Sequence, residues 1–323
     1  MISAALALVG ALVYGSADFF GGLAAKRLRS IVVTCVAALA GLAALILAQP
    51  LIGGTWTYAD FLWGALAGGA GIVAIALLYA CLAIGPMSIL SPLTAVVSAV
   101  APMLWGLLVE GDALAPIGYA GLAVALVAVV LVGFIPGERI VRPSARGLLM
   151  AVGAGLGIGA FLILIDQTSD ASGLVPLVVS RATSGIVTAV MVGVLVIAAV
   201  RRGVPGRSVL EVAGTDPGTT PTGHADLLHA DESGAEVAAS GLLVTERRAW
   251  WFAIVGGIAD AAANALALLA LREGDLSVVA ALTALYPAGT ILLAAVVLRE
   301  RVAGIQWIGL TLALIAGGML AVA

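Results

Sequence analysis

The sequence predicts an all-α integral membrane protein whose ten transmembrane helices form two inverted repeats of five. Three observations predict this class: the composition, the recurrence of apolar runs, and a similarity between the two halves of the chain. Of the 323 residues, 62% are hydrophobic and only 10% are charged, whereas soluble domains are about 25% charged. This composition excludes a water-soluble globular enzyme, and the net charge of −3 does not supply the basic surface that nucleic-acid binding needs.

Ten apolar runs have lengths close to the roughly 20 residues that a helix needs to cross a bilayer. Hydrocarbon cannot satisfy the hydrogen bonds of an open backbone, so each run is predicted to be a helix. The runs are Ile2 to Ala25, Ile31 to Ala48, Phe61 to Ile84, Ile89 to Val109, Ala115 to Ile135, Gly147 to Ile165, Leu174 to Val200, Trp250 to Leu271, Leu276 to Leu298, and Ile305 to Ala323.

The long connection from Gly203 to Arg248 is rich in Gly, Pro and Thr, and it carries seven acidic residues against three basic ones. It lacks a sustained apolar period, which is typical of a disordered loop. Both histidines, His224 and His229, lie in this loop five residues apart. Because that spacing in a disordered segment is a poor metal-binding geometry, the sequence predicts neither a metal site nor a cofactor.

The two halves of the chain are similar when residues 82–101 are aligned with residues 271–290, at a shift of 189. Seven of the 20 aligned positions are identical, against roughly two or three expected from this composition, which indicates an internal repeat. Five spans per half is an odd number, so the second repeat must enter the bilayer inverted relative to the first. The predicted repeats are residues 1–137 and 138–323, the second interrupted by the acidic loop at 203–248.

Basic residues are concentrated on one side of the predicted bundle. The odd-numbered connections hold 13 of the 15 basic residues, the even-numbered ones hold Arg272, and Arg181 lies within the seventh span. Since basic loops stay in the cytoplasm, the odd connections and the acidic loop are predicted to face the cytoplasm, with both termini outside. The expected location is the cell (plasma) membrane, in a prokaryote the inner membrane.

Ionisable and amide side chains lie inside several predicted spans. Asp260 lies at the middle of its span, and Asn264 follows four residues later, so that the two share a helix face. Asp18 lies in the first span and Arg181 in the seventh. A charge at mid-bilayer costs on the order of 3 kcal/mol or more, so such a group is a candidate functional residue.

Two interpretations of these charges are open. Arg181 could form a static ion pair with one carboxylate that only holds two helices together. Alternatively, because burial favours the neutral form of a carboxyl group, an aspartate could bind a proton and a cationic substrate in turn, or Arg181 could bind a substrate carboxylate. Aromatic faces and hydroxyls would come from tyrosines. The residues assigned to this site are Asp18, Asp260, Asn264, Arg181, Tyr14 and Tyr286.

Prolines lie in two corresponding spans, Pro92 and Pro102 in span four and Pro287 in its repeat partner, span nine. Each removes one helical hydrogen bond, which is tolerated in a bilayer where neighbours or a watery cavity satisfy the backbone. Interrupted helices in corresponding spans indicate a central cavity between the halves, lined by these kinks. The alternative is a packing kink without a ligand.

Several motifs of the second half are those of a known family. They are Gly274-Asp275-Leu276-Ser277, Leu285-Tyr286-Pro287, Leu298-Arg299-Glu300-Arg301, Gln306, Gly309 and Gly317. They resemble the closing segment of the EamA-type transporters of the drug/metabolite transporter superfamily. In the first half, Gly85-Pro86-Met87-Ser88 and Glu110 fit, while a proline aligned with Pro287 is missing.

The resemblance implies a ten-helix bundle of two inverted repeats, a cavity between them, and export of a small metabolite or drug, often driven by proton exchange. Smaller relatives use a carboxylate of the first helix for coupling, and Asp18 lies in the corresponding helix. Such proteins are often described with cytoplasmic termini, whereas the charge count of this chain predicts the reverse.

These features together predict a secondary transporter that exports a small metabolite or drug-like molecule by proton-coupled alternating access. The alternative within transport is an uncoupled facilitator or a lipid-headgroup flippase, in which no proton moves. A membrane enzyme is disfavoured, because neither an H-E-x-x-H nor a P-loop motif occurs. A receptor whose loop binds a partner would lose its function when Gly206 to Glu246 is deleted, whereas a transporter would keep it. The expected partners are a small-molecule substrate, the lipid bilayer and a proton.

Overall fold

The computed structural model describes residues 2–25, 27–55, 57–84, 87–132, 144–206, 210, 246–293, 296–297 and 303–322, with side chains apart from those of residues 79–84, 87–89 and 91–92. The regular elements in these ranges are helices, which confirms the all-helical class. Most of the predicted acidic loop, with His224 and His229, lies outside the described residues, and so does the side chain of Pro92.

The helices follow the predicted apolar runs closely. The first five are α1 (Ile2–Ala25), α2 (Ser30–Ile52), α3 (Tyr58–Ile84), α4 (Met87–Trp105) and α5 (Pro116–Val132). The remaining ones are α6 (Ala145–Asp166), α7 (Val175–Arg201), α8 (Glu246–Arg272), α9 (Leu276–Thr283), α10 (Tyr286–Leu293) and α11 (Gly304–Ala321). A π-helical turn, Gly106–Glu110, follows α4, and a 3-10 turn, Asp170–Ser172, precedes α7.

Within the described residues, nine helical stretches are long and apolar enough to cross a membrane, and α9 with α10 counts as one of them. Helix α5, with 17 residues, is shorter than these. The chain is therefore a multi-pass membrane protein, as its composition predicts. The count of ten spans and their division into two inverted repeats stay predictions.

Local sequence explains several helix boundaries. Helix α6 begins after Ser144, whose hydroxyl accepts a hydrogen bond from the Gly147 amide at 3.1 Å, the usual role of a serine N-cap. Helix α7 has Pro176 in its first turn, where the missing N–H has no intrahelical partner to lose. Helix α2 ends at Gly53 and the π-helical turn at Gly111, whose φ values of 74° and 81° favour glycine.

The ninth predicted span is divided into two short helices. Helix α9 ends at Thr283, α10 begins at Tyr286, and Pro287 is the second residue of α10. A proline at this position starts a helix without loss, because the first amide groups of a helix have no intrahelical acceptor. The interruption therefore lies just before Pro287, where it leaves backbone groups free of the regular helical ladder.

The fourth span differs from the expectation of an interruption at Pro92 and Pro102. Helix α4 continues through both prolines from Met87 to Trp105, so neither proline ends the helix, and the kinks stay a prediction. One proline removes one hydrogen bond, and the helical turns on either side of it can stay intact within a bundle. Pro102 is buried and lies against the position of Gly159 on α6, so its surroundings are those of a helix contact.

The helices pack in two groups, each of which contains segments from both halves of the sequence. In the first group, α3 and α4 pack against α6, and α3 also packs against α7. In the second group, α1 packs against α8 and α10, and α5 packs against α11; a small core of Val132, Ala288 and Leu310 joins α5 and α11 to α10. Helix α2 lies between α7 and α8, and α9 between α4 and α1.

Glycine permits two of the closest helix contacts. A Cβ atom added at Gly15 of α1 would overlap the backbone of α10 at Gly289, and one added at Gly257 of α8 would overlap the backbone of α2 at Ala37. Small residues at such positions let helices approach in a bilayer, where packing rather than the hydrophobic effect drives association. Helices α1 and α10 are thereby held side by side.

Helix α9 is the most completely buried element. Its residues from Leu276 to Leu282 each expose 7% or less of their surface. At its start, the Ser277 amide donates a hydrogen bond to a carboxylate oxygen of Asp112 at 3.0 Å. Helix α9 therefore occupies the space between α1 and α4, at the end of the bundle where Asp112 lies.

Candidate functional site

The guanidinium group of Arg181 on α7 forms an ion pair with the carboxylate of Asp260 on α8. The pair joins the two helix groups, since α7 belongs to the first and α8 to the second. The side chains remain 18% and 29% exposed, respectively. The structure therefore contains the ion pair that the static interpretation of Arg181 requires. Both side chains of the pair nevertheless remain partly exposed.

Asn264 fixes the position of Asp260 from one helical turn away. Its amide nitrogen donates to the backbone carbonyl of Asp260 at 2.7 Å and lies 3.4 Å from the carboxylate oxygen Oδ1. Asn264 is itself buried, with 3% exposure. The predicted shared face of these two residues is therefore present, and Asn264 holds the carboxylate while Arg181 balances its charge.

Asp18 is exposed on a face of α1 that is otherwise closed by packing. Ala4, Ala7 and Ala11 lie on this face and expose 2%, 0% and 2%, since residues spaced by three, four or seven share one side of a helix. The exposed apolar residues of α1, such as Val9 at 50%, lie on roughly the opposite side. Asp18 therefore faces a gap between helices, beyond the point where packing closes the face.

The charges of Asp18 and Asp260 are close enough to act on each other. Asp260 has Arg181 as its counter-ion, whereas no ion pair involves Asp18 in the described part of the chain. With both carboxyl groups ionised, the three side chains carry a net charge of −1, and the charge without a described counter-ion is that of the exposed Asp18 carboxylate. Such a group in a membrane requires water, a proton or a bound cation.

The two predicted tyrosines lie in the same electrostatic neighbourhood. The hydroxyl of Tyr14 on α1 lies within reach of the charges of Asp18, Asp260 and Arg181, and that of Tyr286 on α10 lies within reach of Asp18. Tyr286 is the first residue of α10, directly after the interruption of the span. The structure thus brings together all six polar residues that the sequence assigned to one site, from α1, α7, α8 and α10.

The three prolines differ in their relation to these residues. Pro287 follows Tyr286 directly and so lies beside the polar group. Pro102 lies in the contact of α4 with α6, and no described contact joins it to the polar group. A cavity-lining role of Pro92 and Pro102 stays a prediction.

A second polar cluster, at an end of the bundle, was not foreseen. Asp60 on α3 is 1% exposed and accepts four hydrogen bonds: from the amide and hydroxyl of Thr57 at 2.7 and 2.8 Å, and from the amide and hydroxyl of Ser169 at 2.7 and 3.0 Å. The sequence signal for the local part is Thr57-x-x-Asp60, a helix-capping pattern. The partner Ser169 is 109 residues away, so no local pattern could predict it.

Metal-binding chemistry has no candidate in the part of the chain that the structure describes, where no three His, Cys, Asp or Glu side chains are grouped to hold an ion. Cys35 on α2 is buried with a free thiol.

One family model matches the last quarter of the chain. Residues 238–321 match the model of the EamA-like transporter family, which confirms the resemblance seen in the motifs of this segment. No curated protein matches the sequence. A solved structure, described as "Crystal structure of protein", aligns with a TM-score of 0.66 at 15% identity, over 99% of this chain and 98% of that chain. At this identity the likeness shows a shared fold.

Proposed function

We propose that this chain, whose residues 238–321 match the model of the EamA-like transporter family, is a secondary transporter of the cell membrane, in a prokaryote the inner membrane. It exports a small metabolite or drug-like molecule by alternating access, with two inverted five-helix repeats around a central site. The family supports membrane transport as such. We infer in addition that transport is directed outward, that it is coupled to protons, and that the two halves of the chain form inverted repeats.

The observation that carries the proposal is the exposed carboxylate of Asp18 within a membrane helix. It lies next to the Arg181–Asp260 ion pair, which joins the two helix groups. A carboxylate that faces a gap and lacks a protein counter-ion can exchange one cationic partner for another, because both balance the same charge. We infer that a proton and a substrate use Asp18 in turn.

The Arg181–Asp260 pair supports a conformational role for the same site. Because the pair crosses between the helix groups, any relative movement of the groups changes the separation of its charges. A proton or substrate at Asp18 changes the field at Asp260 and so changes the cost of separating the pair. Site occupancy can thereby bias the equilibrium between two arrangements, which alternating access requires.

The test is Asp18→Asn, measured as efflux of a substrate from loaded membrane vesicles under an imposed pH gradient. The substrate is first identified by a resistance and uptake screen across amino acids, nucleosides and cationic drugs. We expect gradient-driven efflux to fall at least tenfold, since asparagine cannot release a proton. Glu273→Gln is the matched control, because this carboxylate is exposed at the end of the bundle, and it should leave efflux unchanged.

Undiminished gradient-driven efflux in Asp18→Asn would remove Asp18 from the mechanism. The second candidate function is an uncoupled facilitator or lipid-headgroup flippase, and the observation that favours it is that Arg181 already balances Asp260 without a proton. A substrate pulse that leaves the pH of the medium unchanged during transport would support this candidate, whereas a substrate-induced pH change supports proton coupling.

A further inference from the structure

Arg272 is the one basic residue of the even-numbered connections, which otherwise carry acidic residues. Contacts among residues 53–57, 111–115, 167–174 and 273–275 and their neighbours show that these connections meet at one end, which we call the outer end. The charge pattern predicts that this end faces outside.

The side chain of Arg272, at the C-terminus of α8, lies against the connection between α6 and α7. It donates hydrogen bonds to the hydroxyls of Thr168 and Ser172 at 3.2 and 3.1 Å, and to the carboxylate of Asp170 at 3.3 Å. It also contacts the backbone carbonyl of Ser169. The side chain of Arg272 is 14% exposed. All of these hydrogen bonds go to the α6–α7 connection.

This contact joins the two helix groups at the outer end, since α8 belongs to the second group and the α6–α7 connection to the first. The other attachment of that connection is more extensive. Asp60 of α3 accepts two hydrogen bonds from Ser169, the Thr55 amide donates to the Ala171 carbonyl at 2.7 Å, and the Leu174 amide donates to Gln49 at 2.9 Å. The α6–α7 connection is therefore fixed to α2 and α3 by several segments, and to α8 by one side chain.

Helix α9 begins four residues after Arg272 and is buried from Leu276 to Leu282. The outer end is therefore closed, whereas α1 is open farther along the chain at Asp18. A route from the outer end to Asp18 must pass α9. It opens only if α8 and α9 separate from the first helix group. Two contacts at the outer end resist this separation: that of Arg272 with the α6–α7 connection, and that of the Ser277 amide with Asp112.

We propose that Arg272 closes the outer gate of the transporter, and that its release from the α6–α7 connection is the step that opens the site to the outer side. This inference rests on the proposed alternating-access function. It assigns the gate to a named contact rather than to the bundle as a whole.

Electrostatics sets the direction of the expected effect. The carboxylates of Asp166 and Asp170 interact with the charge of Arg272, and Asp166 also faces Glu110 and Asp112. Removal of the guanidinium leaves these acidic groups without their shared cation. It also removes the hydrogen bonds that join α8 to the α6–α7 connection, so neutralising Arg272 should open the gate rather than only weaken the fold.

The experiment measures the accessibility of a cysteine placed behind the proposed gate. Ala280→Cys on α9, where the alanine is 2% exposed, is made in a background in which Cys35 and Cys81 are replaced by alanine. A membrane-impermeant thiol reagent is applied to right-side-out and to inside-out vesicles. We expect Arg272→Gln to raise the labelling rate about tenfold in right-side-out vesicles only, and the paired variant Thr168→Ala with Ser172→Ala to raise it less.

Glu273→Gln is the matched control, because it neutralises the exposed residue next to Arg272, on the connection between α8 and α9. It should leave labelling unchanged. Equal labelling of Arg272→Gln and the parent, with both eluting as one folded species, would overturn the gate. If Arg272→Gln does not fold, the Thr168/Ser172 variant decides in the same way. Substrate exchange in the same vesicles tests the proposed function separately: its absence in the parent chain overturns transport, whatever the labelling shows.

Discussion

Asp18 and Asp260 are both carboxylates within membrane helices, but their charges are balanced differently. Asp260 has the guanidinium of Arg181 and the amide of Asn264 as fixed partners. Asp18 faces a gap and has no described counter-ion. Asp260 is therefore the better candidate for a positioning residue, and Asp18 for the group that exchanges a proton with the substrate.

The Arg181–Asp260 pair makes a prediction for stability. Asp260→Asn leaves the guanidinium of Arg181 without a partner, and Arg181→Gln does the same to the carboxylate. Each single variant should lower the free energy of unfolding, and the double variant should recover part of the loss, with a coupling of about 1–2 kcal/mol. That figure is reduced from the value for fully buried pairs, because both side chains are partly exposed.

The coupling is measured by equilibrium unfolding of the purified protein in mixed detergent micelles, with the two single variants and the double variant in one cycle. A second cycle that combines Arg181→Gln with Asp170→Asn should be additive, since Asp170 contacts Arg272 at the outer end. Additive losses in the Arg181–Asp260 cycle would show that the ion pair contributes nothing to the fold.

At the scale of the helix, small residues of α1 allow it to pack closely against its neighbours in the second helix group. Gly15 lies against the backbone of α10 at Gly289, and the hydroxyl of Thr290 donates to the carbonyl of Gly15 at 3.2 Å. This contact places Tyr286 of α10 beside the polar residues of α1. The geometry of the site therefore depends on a glycine that contributes no chemistry of its own.

Two glycines of α1 provide a matched pair for testing this dependence. A Cβ atom added at Gly15 would overlap α10, whereas one added at Gly21 would meet no atom within 4 Å. We expect Gly15→Ala to destabilise the protein by about 1–3 kcal/mol through overpacking, and Gly21→Ala to stabilise it by about 0.5–1 kcal/mol through the higher helix propensity of alanine. Thermal unfolding in detergent compares the two, and equal effects would mean that α1 and α10 do not pack this closely.

At the scale of the molecule, the site residues come from α1, α7, α8 and α10. The outer contacts come from the start of α3, the α6–α7 connection and the end of α8. The acidic loop contributes to neither among the described contacts. Replacing residues 211–245 by a flexible Gly/Ser linker should therefore leave the substrate efflux rate within about twofold of the parent, because the residues of the site and of the outer contacts lie outside this segment.

Efflux from loaded vesicles checks the loop replacement, with the amount of membrane-inserted protein measured in parallel for normalisation. Loss of efflux at normal insertion would contradict the prediction and would support the receptor-like alternative, in which the loop binds a partner.

The sequence by itself determined the class of the protein, the positions of its membrane helices and the residue types of its site. These features depend on local rules. An apolar run of sufficient length must be helical in a bilayer, and a charged side chain within such a run is a candidate functional residue because its burial is costly. The place of the interruption before Pro287 is also readable locally, since a proline is favoured in the first turn of a helix. The continuity of α4 through two prolines is not, because it depends on the helices around it.

Only the tertiary structure decided which elements meet. The pairing of Arg181 with Asp260, the open side of Asp18, and the hydrogen bonds of Asp60 to a serine 109 residues away follow from contacts between distant segments. Hydropathy specifies that a helix lies in the membrane, but packing between small residues chooses its neighbours. For that reason the helix groups mix the two halves of the chain, and the role of Arg272 becomes visible only when α8 is seen against the α6–α7 connection.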